Sequence, residues 1–249
     1  METGNKTLME LAVSSALSAA DTRLRARALW DIAGEAVALT KDLAARHAPD
    51  AGFAPGIIHA DHRARDVAHS HAYARKLRDD YGHDAIRPLD RDALRALCAS
   101  DAYHGGTLDM AAGHLHPLAY AFGLARAART AGVRMFERSR VTGVTEGVPA
   151  VVETDAARVT ADHVLWAANG YLGHAEPRVA QRVMPINNFI VATEPLGDLA
   201  HEILPQNHAV ADSKFVINYF RLSQDGRMLF GGGESYGYRF PDDIAAKAR

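Results

Sequence analysis

The stretch HVLWAANG (163–170) reads as a buried strand that stops in a turn of small residues, and the fold hangs on that reading. Val164, Leu165 and Trp166 supply the apolar run. Ala167, Ala168, Asn169 and Gly170 leave room for a flat or phosphorylated ligand to approach the backbone at the carboxyl edge of a sheet. An ordinary buried strand followed by a turn carries the same residues. No G-x-G-x-x-G fingerprint, which normally opens a dinucleotide-binding unit, stands upstream of it.

Working back from that stretch, RVTGV (140–144), AVVET (150–154) and RVTADHVLW (158–166) read as a small antiparallel excursion that rejoins a main sheet at Val164. Before them, Gly113, His114, Leu115 and His116 lead into Pro117 at the first position of a helix. Its inner stripe is Leu118, Ala121, Ala125 and Ala128, and Gly132 ends it. VRMFE (133–137) follows as a strand, an αβ connection of the kind found in parallel crossover units.

Further back, Asp21 is positioned to cap a helix with the stripe Leu29, Ile32, Ala33, Ala36, Leu39 and Leu43, running to about His47. GIIHA (56–60) is a short strand. Val67, His71, Ala74, Leu77 and Tyr81 mark a second helix closed by Gly82, and Asp90 caps a third. Beyond Met184 the texture changes to β-like runs: NNFIVAT (187–193), then KFVINYFRLS (214–223) and RMLFGGG (227–233) as a hairpin about Gln224, Asp225 and Gly226. The fold class is α/β, α+β mixed.

Composition sets the outer bounds. The 249 residues, 48% of them hydrophobic, suffice for a sizeable core in one large or two modest domains. A net charge of -2 and a pI of about 6.7 argue against a surface built to neutralise phosphates, so nucleic acid is not an expected partner and small metabolites are. Cys98 is the only cysteine, which excludes an intramolecular disulfide and a multi-cysteine metal site; a reducing cytoplasm is the expected setting. Leu94 and Leu97 beside it indicate a core position rather than a catalytic thiol. No apolar run approaches the roughly 18–20 residues needed to span a bilayer, and Glu2 and Glu10 spoil a signal-peptide reading of the N-terminus.

Several chemistries fail on spacing. Among the 13 histidines, His59 with His62 and His69 with His71 complete no i, i+4 set of the metalloprotease type with an acidic residue, and His69 and His71 would lie on different sides of a helix. His114 and His116 could share a strand face near Asp109, but read better as loop histidines that line a pocket or cap the following helix; no metal is expected. No serine stands in a G-x-S-x-G elbow, and Gly231–Gly233 lacks the Lys-Ser or Lys-Thr of a phosphate loop. Those glycines mark either a bend in a strand or backbone passing beside a planar ring. In the hairpin, Phe215, Ile217, Tyr219 and Arg221 alternate onto one face, with Asn218 and Phe220 on the other. Tyrosine and arginine on one face could orient a carboxylate beside an apolar wall, although from pattern alone a solvated arginine on a half-exposed strand is the better reading.

Taken together, GTLDMAAGHLHP (106–117), SRVTGV (139–144), HVLWAANGYLG (163–173), RVMPINNFIVATEPL (182–196) and ADSKFVINYFRLSQDGRMLFGGGESYGYRF (211–240) resemble the FAD-dependent amine and amino-acid oxidoreductases. This is the D-amino-acid oxidase, glycine oxidase and sarcosine oxidase superfamily, and the likeness is to its gamma-glutamylputrescine oxidase branch. The resemblance implies an incomplete FAD/NAD(P)-binding Rossmann-like domain interleaved with a β-sheet-rich substrate domain. Residues 1–48 and 112–178 would form the cofactor part, and 49–111 and 179–249 the substrate part.

It implies FAD as cofactor, met by Val141 at its adenine end and by Ala167, Ala168 and Gly170 at the turn. Tyr219, Arg221 and Tyr236, with His114 and His116, are the implied pocket candidates. The implied reaction is hydride transfer from an amine-bearing carbon of a small amino compound, leaving an imine, with oxygen the expected acceptor and H2O2 the product. No catalytic acid or base is implied. The family's opening strand, G-x-G-x-x-G turn and helix, and its C-terminal return, are not matched, so the chain is expected to be a middle portion of such an enzyme. A noncatalytic remnant or binding module is the alternative.

Overall fold

The computed structural model describes residues 19–184 and 186–235. In chain order they form α1 (Ala19–His47), β1 (Ala54–Ala60), α2 (Ala64–Tyr81), β2 (Ile86–Leu89), α3 (Arg91–Arg95), β3 (Gly106–His114), α4 (Pro117–Thr130) and β4 (Val141–Thr145). There follow β5 (Ala150–Thr154), β6 (Arg158–Ala161), α5 (Pro177–Ala180), β7 (Asn187–Pro195), α6 (Leu199–Ile203), β8 (Ala209–Asp212), β9 (Tyr219–Leu222) and β10 (Arg227–Ser235). The chain divides into two compact units, Met1–Thr130 with Ile190–Gly233, and Ala131–Phe189 with Glu234–Arg249. The architecture is mixed α/β.

The first unit is built on a seven-stranded sheet in the order β2-β3-β1-β8-β9-β10-β7. β1 runs antiparallel to β3 and parallel to β8, and β8, β9 and β10 are antiparallel in sequence. Alternation sends Ile58 and Ala60 of β1, Val210 of β8, and Phe220 and Leu222 of β9 to one face, where they pack with Leu94 of α3 and Leu204 after α6. Ile58, Leu94 and Leu204 are completely buried, and Cys98 lies in the same cluster, its thiol pushed up to about 11 by burial. The single cysteine is thus core, as its leucine neighbours indicate.

Local signals hold through much of this unit. α2 closes at Gly82 in the left-handed region, at φ 69°, where its N–H donates to the carbonyls of Arg78 and Leu77. Asp90 caps α3, its Oδ1 accepting from the Ala93 N–H at 2.8 Å. Pro117 opens α4. The β9–β10 hairpin turns at Gln224–Gly226, with Gly226 at φ 76°.

The second unit holds a three-stranded antiparallel sheet, β4-β5-β6, which is the predicted excursion. It does not continue into a strand at Val164. Residues 163–168 are irregular, a 3-10 turn Asn169–Tyr171 follows, and Leu165 is 89% exposed. A buried strand needs a neighbour to accept its ladder, and among the described residues none pairs with this segment. VRMFE is likewise irregular, with Phe136 68% exposed, so the predicted αβ crossover is absent among the described residues.

Two helix faces also differ from expectation. α1 turns Ala26, Trp30 and Ala44 inward, Trp30 meeting the Tyr81 ring at 4.8 Å, and leaves Leu29, Ile32 and Leu39 exposed. A helix apolar around more than half its girth gives its stripe no unique inward face. α4 packs through Gly123, where an added Cβ would lie 2.3 Å from that of Ala48, while Leu118 is exposed. Close backbone approach selected the glycine face over the larger leucine. KFVINYFRLS is a strand only over Tyr219–Leu222, because the preceding residues turn around Asp212. The Asp212 carboxylate accepts from the Lys214 and Asn218 N–H groups and from Asn218 Nδ2.

Candidate functional site

The face of the first unit's sheet opposite its core is open. There a cleft of about 630 Å3 is lined by Ile57, Ile190, Ala209, Ala211 and Leu229, with Tyr219 and Arg221 of β9 among them. Tyr219 and Arg221 stand on it because alternation has already committed Phe220 and Leu222 to the core. Cross-strand register sets Leu229 opposite Arg221 and Gly231 opposite Tyr219. A Cβ at Gly231 would lie 2.2 Å from the Tyr219 ring. The planar ring that the first glycine of GGG accommodates is therefore one of the chain's own, and Gly233, at φ 74°, supplies a bend as well.

His114, at the end of β3, also lines the cleft. Its Nε2 lies 2.8 Å from the Asn207 carbonyl, which fixes Nε2 as the donor and leaves Nδ1 an acceptor, buried and without a partner among the described residues. Burial holds its pKa below the ordinary histidine value, and the Arg221 and His208 charges act in the same direction against the Asn207 bond. The imidazole is neutral at pH 7. Burial likewise pulls the Arg221 guanidinium down from its usual value; Nη1 donates to the Leu222 carbonyl at 3.1 Å. His116 is at the rim, and its Nδ1 accepts from the Ala119 N–H at 3.3 Å, capping α4.

Four of the candidate residues, His114, His116, Tyr219 and Arg221, thus line one cleft, while Tyr236 lies outside the described residues. The histidine pairs do not converge on a metal. Asp109 bonds His83 at 2.9 Å rather than His114, His71 bonds the Leu89 carbonyl, and His62 bonds Ser213 Oγ at 2.8 Å. Among the described residues no group of three or more potential ligands converges on one point.

Sequence reasoning missed Asn207, a cleft residue in the left-handed region at φ 52°, a conformation asparagine tolerates better than most residues. It also missed Asp212. A buried aspartate closing an apolar strand is a signal that could have found it.

The remaining candidates are in the second unit. Val141 begins β4, opposite Thr154, next to a register shift. Ala167, Ala168 and Gly170 lie on the irregular segment, where a Cβ at Gly170 would meet nothing within 4 Å and Tyr171 is 97% exposed. The backbone at Gly170 leaves room for a flat group to approach. Val164 and Trp166 face a smaller cleft of about 350 Å3 bordered by Arg178, which pairs with Glu176 and Glu146.

No helix among the described residues is long and apolar enough to cross a membrane. The chain is 39% identical over 225 residues to a probable oxidoreductase OrdL of Rhizobium meliloti, covering 90% of this chain and 52% of that protein. It is 45% identical over 166 residues to the gamma-glutamylputrescine oxidoreductase of Escherichia coli, covering 66% of this chain and 39% of that one. The chain therefore spans about half the length of the curated relatives it matches. In fold it is similar to the crystal structure of glycine oxidase from Geobacillus kaustophilus, with a TM-score of 0.69 at 18% identity over 95% of this chain and 62% of that one. The family model described as FAD dependent oxidoreductase matches residues 12–249. The chain belongs to the FAD-dependent oxidoreductase family.

Proposed function

We propose that the protein takes part in FAD-dependent oxidation of a primary or secondary amine in a gamma-glutamylputrescine-like amino compound. The observation that carries this reading is the 45% identity to a gamma-glutamylputrescine oxidoreductase, over a segment that includes most of this chain. When bound, FAD would supply the two-electron acceptor for oxidation of the amine-bearing carbon, with oxygen as the terminal acceptor. Hydrolysis of the imine would then give an aldehyde with release of ammonia, or of the amine fragment where the amine is secondary.

The chain's own residues supply position rather than proton transfer. The cleft over β8–β10 offers the apolar side chains of Ile57, Ile190 and Leu229 to the substrate, and Tyr219, Arg221 and His114 orient it there. His116 shapes the rim, and Tyr236 remains a pocket candidate. Val141, Ala167, Ala168 and Gly170 are the residues that would hold the cofactor, through approachable backbone. On this reading the 131–189 segment serves the cofactor, the cleft serves the substrate, and the reducing cytoplasm is the setting.

Incubating the full chain with FAD, removing free flavin, and assaying peroxide from gamma-glutamylputrescine tests the proposal. Retained yellow absorbance with peroxide release is expected. Retained ligand binding with neither flavin nor peroxide would replace it with a noncatalytic binding module.

A further inference from the structure

Asn169 and Gly170 form the sole asparagine–glycine pair in the sequence, and they lie on the irregular segment between β6 and α5. Both residues are exposed. Asn169 stands at φ 49°, in the left-handed region, and no hydrogen bond among the described residues holds its side-chain amide. The turn is closed by its neighbours: the Tyr171 N–H donates to the Ala168 carbonyl at 3.0 Å and the Leu172 N–H to the Asn169 carbonyl at 3.3 Å. That leaves the Gly170 N–H without a partner among the described residues. Gly170 has no side chain, and nothing lies within 4 Å of where a Cβ would stand.

The other described asparagines are held. Asn218 donates through its backbone N–H and its Nδ2 to the Asp212 carboxylate, the Asn207 carbonyl is bonded to His114, and Asn187 and Asn188 have partners. Each is followed by a residue whose side chain crowds the next peptide nitrogen. Asparagine is thermolabile because that nitrogen can attack its side-chain carbonyl carbon, and the attack needs an unhindered nitrogen on backbone free to rotate. Among the described residues, position 169 meets both conditions.

We propose that Asn169 and Gly170 form a self-modification site. The Gly170 backbone nitrogen attacks Asn169 Cγ. An N–C bond forms, the Cγ–NH2 bond breaks, and the proton of the attacking nitrogen leaves with the amide nitrogen as ammonia. Water then opens the resulting succinimide. Opening at Cγ gives aspartate, and opening at the main-chain carbonyl gives isoaspartate, in which the main chain runs through Cβ. Nothing is oxidised or reduced, and either product carries a carboxylate where the chain had a neutral amide. One consequence rests on the proposed function: if Ala167, Ala168 and Gly170 form the cofactor turn, the new carboxylate opposes the anionic pyrophosphate of FAD, and flavin retention falls.

The full chain, held folded at mildly alkaline pH and sampled over days by tryptic mapping with isoaspartate detection, tests the site without flavin. The peptide 159–178 should gain acid at Asn169 at least about tenfold faster than the peptides carrying Asn207 or Asn218, with release of ammonia. Gly170→Ala, whose methyl meets no neighbour, should slow the gain at least about fivefold, and Asn169→Gln, which would have to close a larger ring, should abolish it. Acid appearing no faster at Asn169 than at Asn218, or undiminished in Gly170→Ala, would overturn the site, whatever the flavin does. An aged chain should retain less FAD than a fresh one, and Asn169→Gln should resist that ageing. Acid formation with flavin retention unchanged would keep the modification and overturn its effect on the cofactor. A fresh chain that retains no flavin would reject the proposed function and this effect together, while the peptides still decide the modification.

Discussion

The two units bury their apolar residues very differently. In the first, Ile58, Leu89, Leu94, Leu108, Leu204 and Val210 are at most 2% exposed and form one continuous cluster behind the sheet. In the second, Ala150, Leu172 and Phe189 are the buried hydrophobics among the described residues, while Leu165, Tyr171 and Val148 are 89–97% exposed. One sheet has a filled face and an open, partly polar cleft. The other has three short strands and apolar side chains without cover. A site with half-buried charge needs a rigid backing, and the first unit has one.

The largest expected difference is in the cores. Leu108→Ala should cost about 2–5 kcal/mol, whereas Val159→Ala, at a half-exposed position of β6, should stay within about 0.5 kcal/mol. Urea unfolding followed by circular dichroism separates them; equal losses would erase the contrast. Asp212→Ala removes an acceptor of three hydrogen bonds at a buried position, so a loss of about 2–3 kcal/mol is expected, with faster amide exchange at Asn218. Unchanged exchange would show that the β8–β9 loop holds without it. Gly231→Ala drives a methyl into the Tyr219 ring, and about 1–3 kcal/mol should be lost together with ligand affinity in the cleft. An unaltered affinity would mean that the ring moves away from the cleft rather than into it.

The smallest effect concerns pH. His114 has a folded pKa below its unfolded value of about 6.5, so its neutral form contributes stability that is complete above about pH 6.5. That contribution is lost as pH falls through the lowered folded value. His114→Gln should flatten the decline in unfolding free energy below about pH 6.5; a steeper decline would reverse the assigned direction.

Much of the first unit was legible because its signals are local. The left-handed Gly82, the Asp90 cap, Pro117 at a helix start and the alternation of Tyr219 and Arg221 are each decided within a few residues. HVLW and VRMFE failed for the opposite reason: an apolar run becomes a strand only when a partner takes its hydrogen bonds. α1 has too much apolar surface for periodicity to choose a face, and α4 packs through Gly123, which a hydrophobic stripe does not register. The site was half legible. Arg221 and Tyr219 follow from alternation and His114 from its place before Pro117, but Asn207 enters the cleft through a left-handed backbone 93 residues away from the histidine it holds.

The central claim, that the open face of the seven-stranded sheet is the substrate wall, is tested most directly by blocking it. Leu229→Trp fills the cleft opposite Arg221 without touching the core face. Titration of gamma-glutamylputrescine into the full chain with FAD present should show saturable binding for the natural sequence and at least about a tenfold loss for the variant. Equal affinity in the two, with both folded by circular dichroism, would contradict the account.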